Sequence, residues 1–259
     1  MAKGIKPAER RYQDYLRQRG VQTANAYART LARKRNDEVR RALAELARYY
    51  SIENWEAAIN TLINENAYLP DWYRGVIVKS GLPAVSSTAK ALAGSADAVK
   101  PYLGTFEKQL NDYARERAGQ EIVSVTGTFK ETIQTSIRDA IAEDPNIGVE
   151  KLSKRIARDM GVENGWQTRR IAQTEMMNGL AEGGEEAAQF LDIDYTKQWC
   201  ISGVGNSRET HIMMDGVTVE RDGLFQLADC VMRYPHDTQY NPPAGEIINC
   251  ACSCIRRPK

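Results

Sequence analysis

The chain has 259 residues, of which 42% are hydrophobic and 27% charged, with a net charge of +1. That length allows one large domain or two small ones. The composition is that of a globular protein, and the near-neutral total argues against a dedicated nucleic-acid binder. The charge is unevenly spread. Residues 1–50 carry 13 Lys and Arg against 5 Asp and Glu, a local excess that suits either an acidic partner or a solvated basic helix face. No apolar run is long enough to cross a bilayer, and M-A-K-G-I-K-P lacks a signal-peptide core, so a reducing cytoplasm is expected.

In chain order, Pro7 suits the first turn of a helix that continues from Arg10 to Arg19 and is interrupted at Gly20. From Thr23 an amphipathic helix is predicted, with Leu31, Val39, Leu43, Leu46 and Tyr50 on one stripe. Arg29, Arg33, Lys34, Arg35, Arg40 and Arg41 fall mostly off it and are the candidate contacts to DNA or an acidic protein. Ser51 is the expected N-cap of the next helix, with Trp55, Ile59, Leu62 and Ile63 as its apolar face. Pro70 opens another, and Gly81-Leu82-Pro83 is expected to break it. Residues 84–100, rich in Ala and Ser, are open to either a helix or a loose connection.

A helix is expected from Ala98 to about Arg117 on Tyr102, Phe106, Leu110 and Tyr113. Thr126-Gly127-Thr128 reads as a turn or cap before a helix carrying Phe129, Ile133, Ile137 and Ile141. Asp144-Pro145-Asn146 and Gly148 end that helix, and Val149 to Met160 forms a short one. Trp166 to Phe190 is again helical, with Ile171, Thr174, Asn178 and Ala181 on one face. After Leu191, Tyr195–Ile201 and Gly216–Glu220 have the β-branched and aromatic content of short strands. The expected fold is therefore mainly α with a small C-terminal α+β module: an elongated helical body, then a compact, loop-rich Cys/His-containing domain. The expected segments are 1–95, an N-terminal helical region with a basic arm at 1–50; 96–191, a helical core; and 192–259, the module.

Both histidines, His211 and His236, and all five cysteines, Cys200, Cys230, Cys250, Cys252 and Cys254, lie in the last quarter of the chain. Zinc takes Cys and neutral His in tetrahedral sets. In an extended strand the alternate residues Cys250, Cys252 and Cys254 would point one way. His211 could complete such a set, with Cys230, His236 or Cys200 as alternates. Against this, the spacing fits no zinc-finger template. Buried free thiols, a disulfide and a structural zinc all remain open. Trp55, Trp72, Trp166 and Trp199 are read as packing anchors.

Three pieces occur in order: R-E-R-A-G-Q-E-I-V-S-V-T-G-T-F-K-E-T-I-Q-T-S-I-R-D-A-I with V-E-K-L-S-K-R-I; I-A-Q-T-E-M-M-N-G-L-A-E-G at 171–183; and W…R-x-x-H-x-x-M-D-G…F…P…N-C-x-C ending at Cys252. Together they resemble the Mu F-like phage head morphogenesis proteins, the minor head or minor capsid proteins. The resemblance covers roughly Arg115 to Cys254. It departs at Gln173-Thr174-Glu175, where the family has Arg-Thr-Glu, at Ala251, where it has Arg between the cysteines, and in the extra Cys254.

The resemblance implies a virion protein present in few copies, made in the host cytoplasm. It would sit at the portal vertex inside the capsid with the portal and the major capsid or scaffold protein as partners, and act in head assembly or DNA delivery. Glu175, Arg208, His211 and Asp215 form a candidate polar cluster. Its structural reading has Arg208 paired with Glu175 or Asp215 and Asp215-Gly216 making a tight turn between two short strands; no catalytic residue is assigned. Two other classes stay open: a DNA-associated internal protein ejected with the genome, and a metal-dependent hydrolase or toxin-like transferase built on the C-terminal cluster.

Overall fold

The computed structural model describes residues 4–49, 69–144, 147–159, 166–202 and 207–259. Among these residues it is mostly helical, with short strands in the C-terminal part. The helices are α1 (Pro7–Tyr49), α2 (Leu69–Ala93), α3 (Leu103–Glu143), α4 (Val149–Asp159) and α5 (Trp166–Phe190). Two 3₁₀ turns, Ala96–Ala98 and Lys100–Tyr102, join α2 to α3. Then follow β1 (Tyr195–Cys200), α6 (Glu209–Met214), β2 (Thr218–Glu220), β3 (Phe225–Gln226), β4 (Val231–Met232), α7 (Ala244–Ile247) and β5 (Ser253–Pro258). No helix among the described residues is long and apolar enough to cross a membrane.

Three expected breaks are absent, and at Gly20 and Gly81 tertiary packing overrides local propensity. Helix α1 runs through Gly20, where the side chain of Met176 occupies the space a Cβ would need. Helix α2 runs through Gly81 and Pro83 and takes up residues 84–93, which the sequence left undecided. Helix α3 runs through Thr126-Gly127-Thr128. The buried stripe of α1 is also different from the one expected: Arg17, Gly20, Ala24, Ala28, Leu31, Arg35 and Glu38 are buried at steps of three and four. Only Leu31 was foreseen; the side chains of Val39, Leu43, Leu46 and Tyr50 lie outside the described set. So do Ser51, Trp55 and the helix they were to start. Arg29, Arg33, Lys34, Arg40 and Arg41 are exposed, whereas Arg35 is buried on the stripe and leaves the candidate contact set.

The chain forms two compact units that do not follow chain order. One comprises Met1–Asn25, Arg74–Ala114 and Arg170–Lys259, and the other Ala26–Tyr73 and Arg115–Arg169. The N-terminal region, core and C-terminal module expected as successive segments are thus interleaved.

In the second unit Ile133, Ile137 and Ala140 of α3 and Leu152 and Ile156 of α4 are buried at helical spacing. Ser136 donates to Asp159 at 2.7 Å, and Arg155 reaches Glu143. Trp72 donates to the Tyr27 carbonyl at 2.9 Å, the anchoring role expected of it.

In the first unit α2, α3 and α5 share a core of Val85, Ala89, Phe106 and Ala187, continued by Ile77, Leu110 and Ala114. Tyr102, expected on that face, lies instead in the 3₁₀ turn, half exposed against Phe190. Helices α2 and α5 approach closely: a Cβ on Gly183 would stand 2.3 Å from the Gly81 carbonyl oxygen, and one on Gly179 would stand 2.7 Å from that of Ile77.

Strand β3 pairs with β4 in a two-stranded sheet. The larger sheet has the order β2-β1-β5, all antiparallel, with Trp199 opposite Cys254 and Lys197 opposite Arg256. The start of α1 is tied to this sheet. Glu9 accepts two bonds of 2.6 Å from Arg257, and Arg10 donates to Asp215 at 2.8 Å. Paired, geometrically matched guanidinium–carboxylate contacts of this type set orientation as well as energy.

Glu182 of α5 is buried and accepts from the Tyr234 hydroxyl at 2.9 Å. Burial pushes its carboxyl up to about 7, the Tyr234 bond opposing. The folded protein therefore holds a proton that the unfolded chain has released above about pH 4.5. Stability should fall as pH rises from about 4.5 to about 7, by about 3 kcal/mol from this group. Urea unfolding of wild type and Glu182→Gln across that range should show the fall in wild type and a flatter curve in the variant.

Candidate metal centre

The module core is built on Trp199, which is fully buried and meets Phe225 edge-on at 5.2 Å and His211 at 5.3 Å. Leu227, Met232, Ile247, Cys250 and Cys252 complete it. Strand β1 sets Trp199 in place, and the Asp215-Gly216 turn closes beside it. Gly216 takes φ +81°, which suits glycine, and its N–H donates to the Trp199 carbonyl at 2.9 Å. The expected turn is present, but it joins α6 to β2 rather than two strands.

His211 lies on α6, one turn after Arg208. Its Nδ1 is 3.5 Å from Cys250 Sγ and 3.4 Å from Cys252 Sγ. These three buried donors form a group that could hold a metal ion. Zinc–sulfur and zinc–nitrogen bonds of about 2.3 and 2.0 Å at a tetrahedral angle place N and S roughly 3.6 Å apart, so the observed edges fit. On the other side of the ring, Nε2 lies 2.7 Å from Glu246 Oε2, a close approach rather than an aligned hydrogen bond. Thr210 steadies that carboxylate at 3.1 Å. A carboxylate behind a histidine fixes the tautomer that leaves the other nitrogen free to ligate.

The two sulfurs are differentiated. The Cys250 thiol is pushed down, chiefly by a hydrogen bond from Cys252 and against burial, and the Cys252 N–H also donates to Cys250 Sγ at 3.3 Å. Cys252 is pushed up by that same shared proton and by burial.

Cys254 does not join the group. The expectation that Cys250, Cys252 and Cys254 lie on one extended strand fails at the backbone. Asn249 takes φ +57°, and β5 begins only at Ser253. Cys254 sits instead beside Arg256, Glu185 and Lys197, and burial pushes its thiol up. Cys230 packs against the same core but outside the donor set, and all five cysteines are free thiols.

The candidate polar cluster is redistributed. Arg208 donates to the Ile248 carbonyl, not to Glu175 or Asp215. Asp215 accepts from Arg10 and from the Ile201 N–H at 3.0 Å. Glu175 accepts from Asn178 at 3.2 Å, and Asn178 in turn meets His236 Nδ1 at 3.1 Å, all three residues being buried. Thr174, the middle of Gln173-Thr174-Glu175, accepts from the Asn249 N–H at 2.9 Å. So Arg208 and Thr174 each grip one end of the 248–249 segment that presents Cys250.

Sequence reasoning missed Glu246, Thr174 and Asn178 as parts of this arrangement. The only signal for Glu246 was its place four residues before Cys250. No protein-family model, curated protein or solved structure matches the chain.

Proposed function

We propose that this chain is a minor head protein of a tailed phage, bound near the portal inside the capsid, with a C-terminal module held together by a structural zinc. One observation supports the reading above others. Of the residues that carry the resemblance, Trp199, His211, Cys250 and Cys252, spread over more than fifty positions in the chain, meet in one buried core, with half-buried Arg208 and Asp215-Gly216 and exposed Asn249 around it. Residues used this way serve to shape a docking module. A zinc there would be held by His211, Cys250 and Cys252 and would cross-link α6 to the segment before β5. Its chemistry would be that of a staple for a loop-rich module whose strands are two to six residues long.

The exposed Arg29, Arg33, Lys34, Arg40 and Arg41 favour a second reading, in which α1 faces packaged DNA and the protein leaves with the genome. Cryo-electron microscopy of the portal vertex in purified particles tests the first reading. An ordered ring of several copies against the portal is expected, and absence of the chain from the particles would sink it. Duplex-DNA binding that falls steeply with salt, and is lost in a variant with those five residues neutralised, would instead carry the second.

A further inference from the structure

In the first unit a cavity of about 70 Å³ lies between α1, α2, α5 and β5, lined among others by Gln13, Arg17, Thr88, Gly184 and Arg256. A water-sized atom needs roughly 10–15 Å³ on this measure, so the space admits the few heavy atoms of a small ion and excludes a nucleoside. Its walls carry two guanidinium groups. Arg17 is 7% exposed; its Nη1 donates to Asp14 at 2.6 Å, while its buried Nε and Nη2 meet no acceptor in the protein. Arg256 is 8% exposed; Nη2 donates to Glu185 at 2.8 Å, and its buried Nε also meets none. Gly184 makes the room: a Cβ there would stand 2.9 Å from Arg256 Nη1 and 3.2 Å from the Thr88 hydroxyl.

Arg17 and Arg256 each have one carboxylate partner, Asp14 and Glu185, which leaves the remaining buried donors of both guanidinium groups unused. Buried guanidinium donors that lack acceptors carry a desolvation cost that a bound acceptor would relieve.

We propose that this cavity is a binding site for a small tetrahedral oxyanion, free phosphate or its isostere sulfate, held by Arg17 and Arg256 with the Thr88 hydroxyl as a further donor. A tetrahedral anion offers acceptors in several directions at once, as Nε and Nη2 of one guanidinium and Nε of another require. Cys252 of the His211 group also lines the cavity, but none of the oxyanion's donors named here is a donor of that group.

Isothermal titration calorimetry of inorganic phosphate into the full-length chain, with chloride holding ionic strength constant, tests this. One saturable site is expected. Arg17→Met keeps the aliphatic stem and removes the donors, so it should weaken binding by roughly tenfold or more. Thr88→Val, a nearly isosteric change, gives a second reading should Arg17→Met misfold, and should weaken binding several-fold. Arg29→Met, on the exposed face, should leave it unchanged. No saturable heat with wild type, or full affinity in folded Arg17→Met, would mean that the cavity holds only water. A mononucleotide 5′-phosphate that saturates the site as tightly as free phosphate would overturn its assignment to a free anion.

Discussion

Cys250→Ser and His211→Ala should each release one zinc per chain and destabilise the first unit by on the order of 4–5 kcal/mol, while Cys254→Ser should keep the metal. Losses of that size come from a short set of causes, of which a lost metal is one. The full binding energy of a structural zinc, about 10–16 kcal/mol in small peptides, will not all be forfeited. Trp199, Phe225 and Met232 would still be buried together by the rest of the module. Zinc content by mass spectrometry and urea unfolding, with and without chelator, would read both effects. X-ray absorption should find two sulfurs and at least one nitrogen at the metal; a third sulfur would bring in Cys230, which packs against the same core. A zinc-free wild type whose stability does not change in Cys250→Ser would reduce the group to thiol–imidazole hydrogen bonds, for which 3.4–3.5 Å is also an ordinary length.

The donor set was partly legible because ligands are rare residue types. With two histidines and five cysteines crowded into one quarter of the chain, His211 with Cys250 and Cys252 could be named before any fold was known. What could not be read was the backbone between them. Three alternate cysteines look like one face of a strand, but β5 begins only at Ser253, so Cys250 and Cys252 lie before it while Cys254 lies within it, on the Arg256–Glu185 side. The partners of Arg208 and Asp215 were missed for a related reason. Sequence patterns pair charged side chains with charged side chains. Here Arg208 takes a backbone carbonyl, and Asp215 takes Arg10, 205 positions away in the chain.

The helical body was legible as helix, but its ends were not. Glycine and proline are weak breakers when a neighbouring element packs against them, as at Gly20 and Gly81, and at Gly127 the helix continues with nothing within 4 Å. The buried stripe of α1 escaped notice because it is written in Gly20, Ala24 and Ala28, with Arg17, Arg35 and Glu38 interspersed, residues that a hydrophobicity pattern scores as neutral or polar.

The same blindness to close packing gives the second large effect. Gly183→Ala should destabilise the first unit by about 2–3 kcal/mol, whereas Gly127→Ala should stabilise the chain by up to about 1 kcal/mol. Both glycines sit inside helices, so propensity favours alanine at both. They differ in what a methyl group meets. At Gly127 nothing lies within 4 Å. At Gly183 it would stand 2.3 Å from the carbonyl oxygen and 2.7 Å from the carbonyl carbon of Gly81, both backbone atoms of α2. A flexible side chain could yield, as Met176 could beside Gly20, where the nearest atom is its sulfur at the same 2.3 Å. A helix backbone cannot, so α2 and α5 must separate and open the contacts of Val85, Phe106 and Ala187. The expected fall in melting temperature for Gly183→Ala is roughly 5–10 °C, at about 2–4 °C per kcal/mol for a unit of this size. Gly20→Ala should fall between the two. Thermal unfolding of the three variants side by side decides the matter: equal stabilisation at all three positions would mean that α2 and α5 do not touch backbone to backbone.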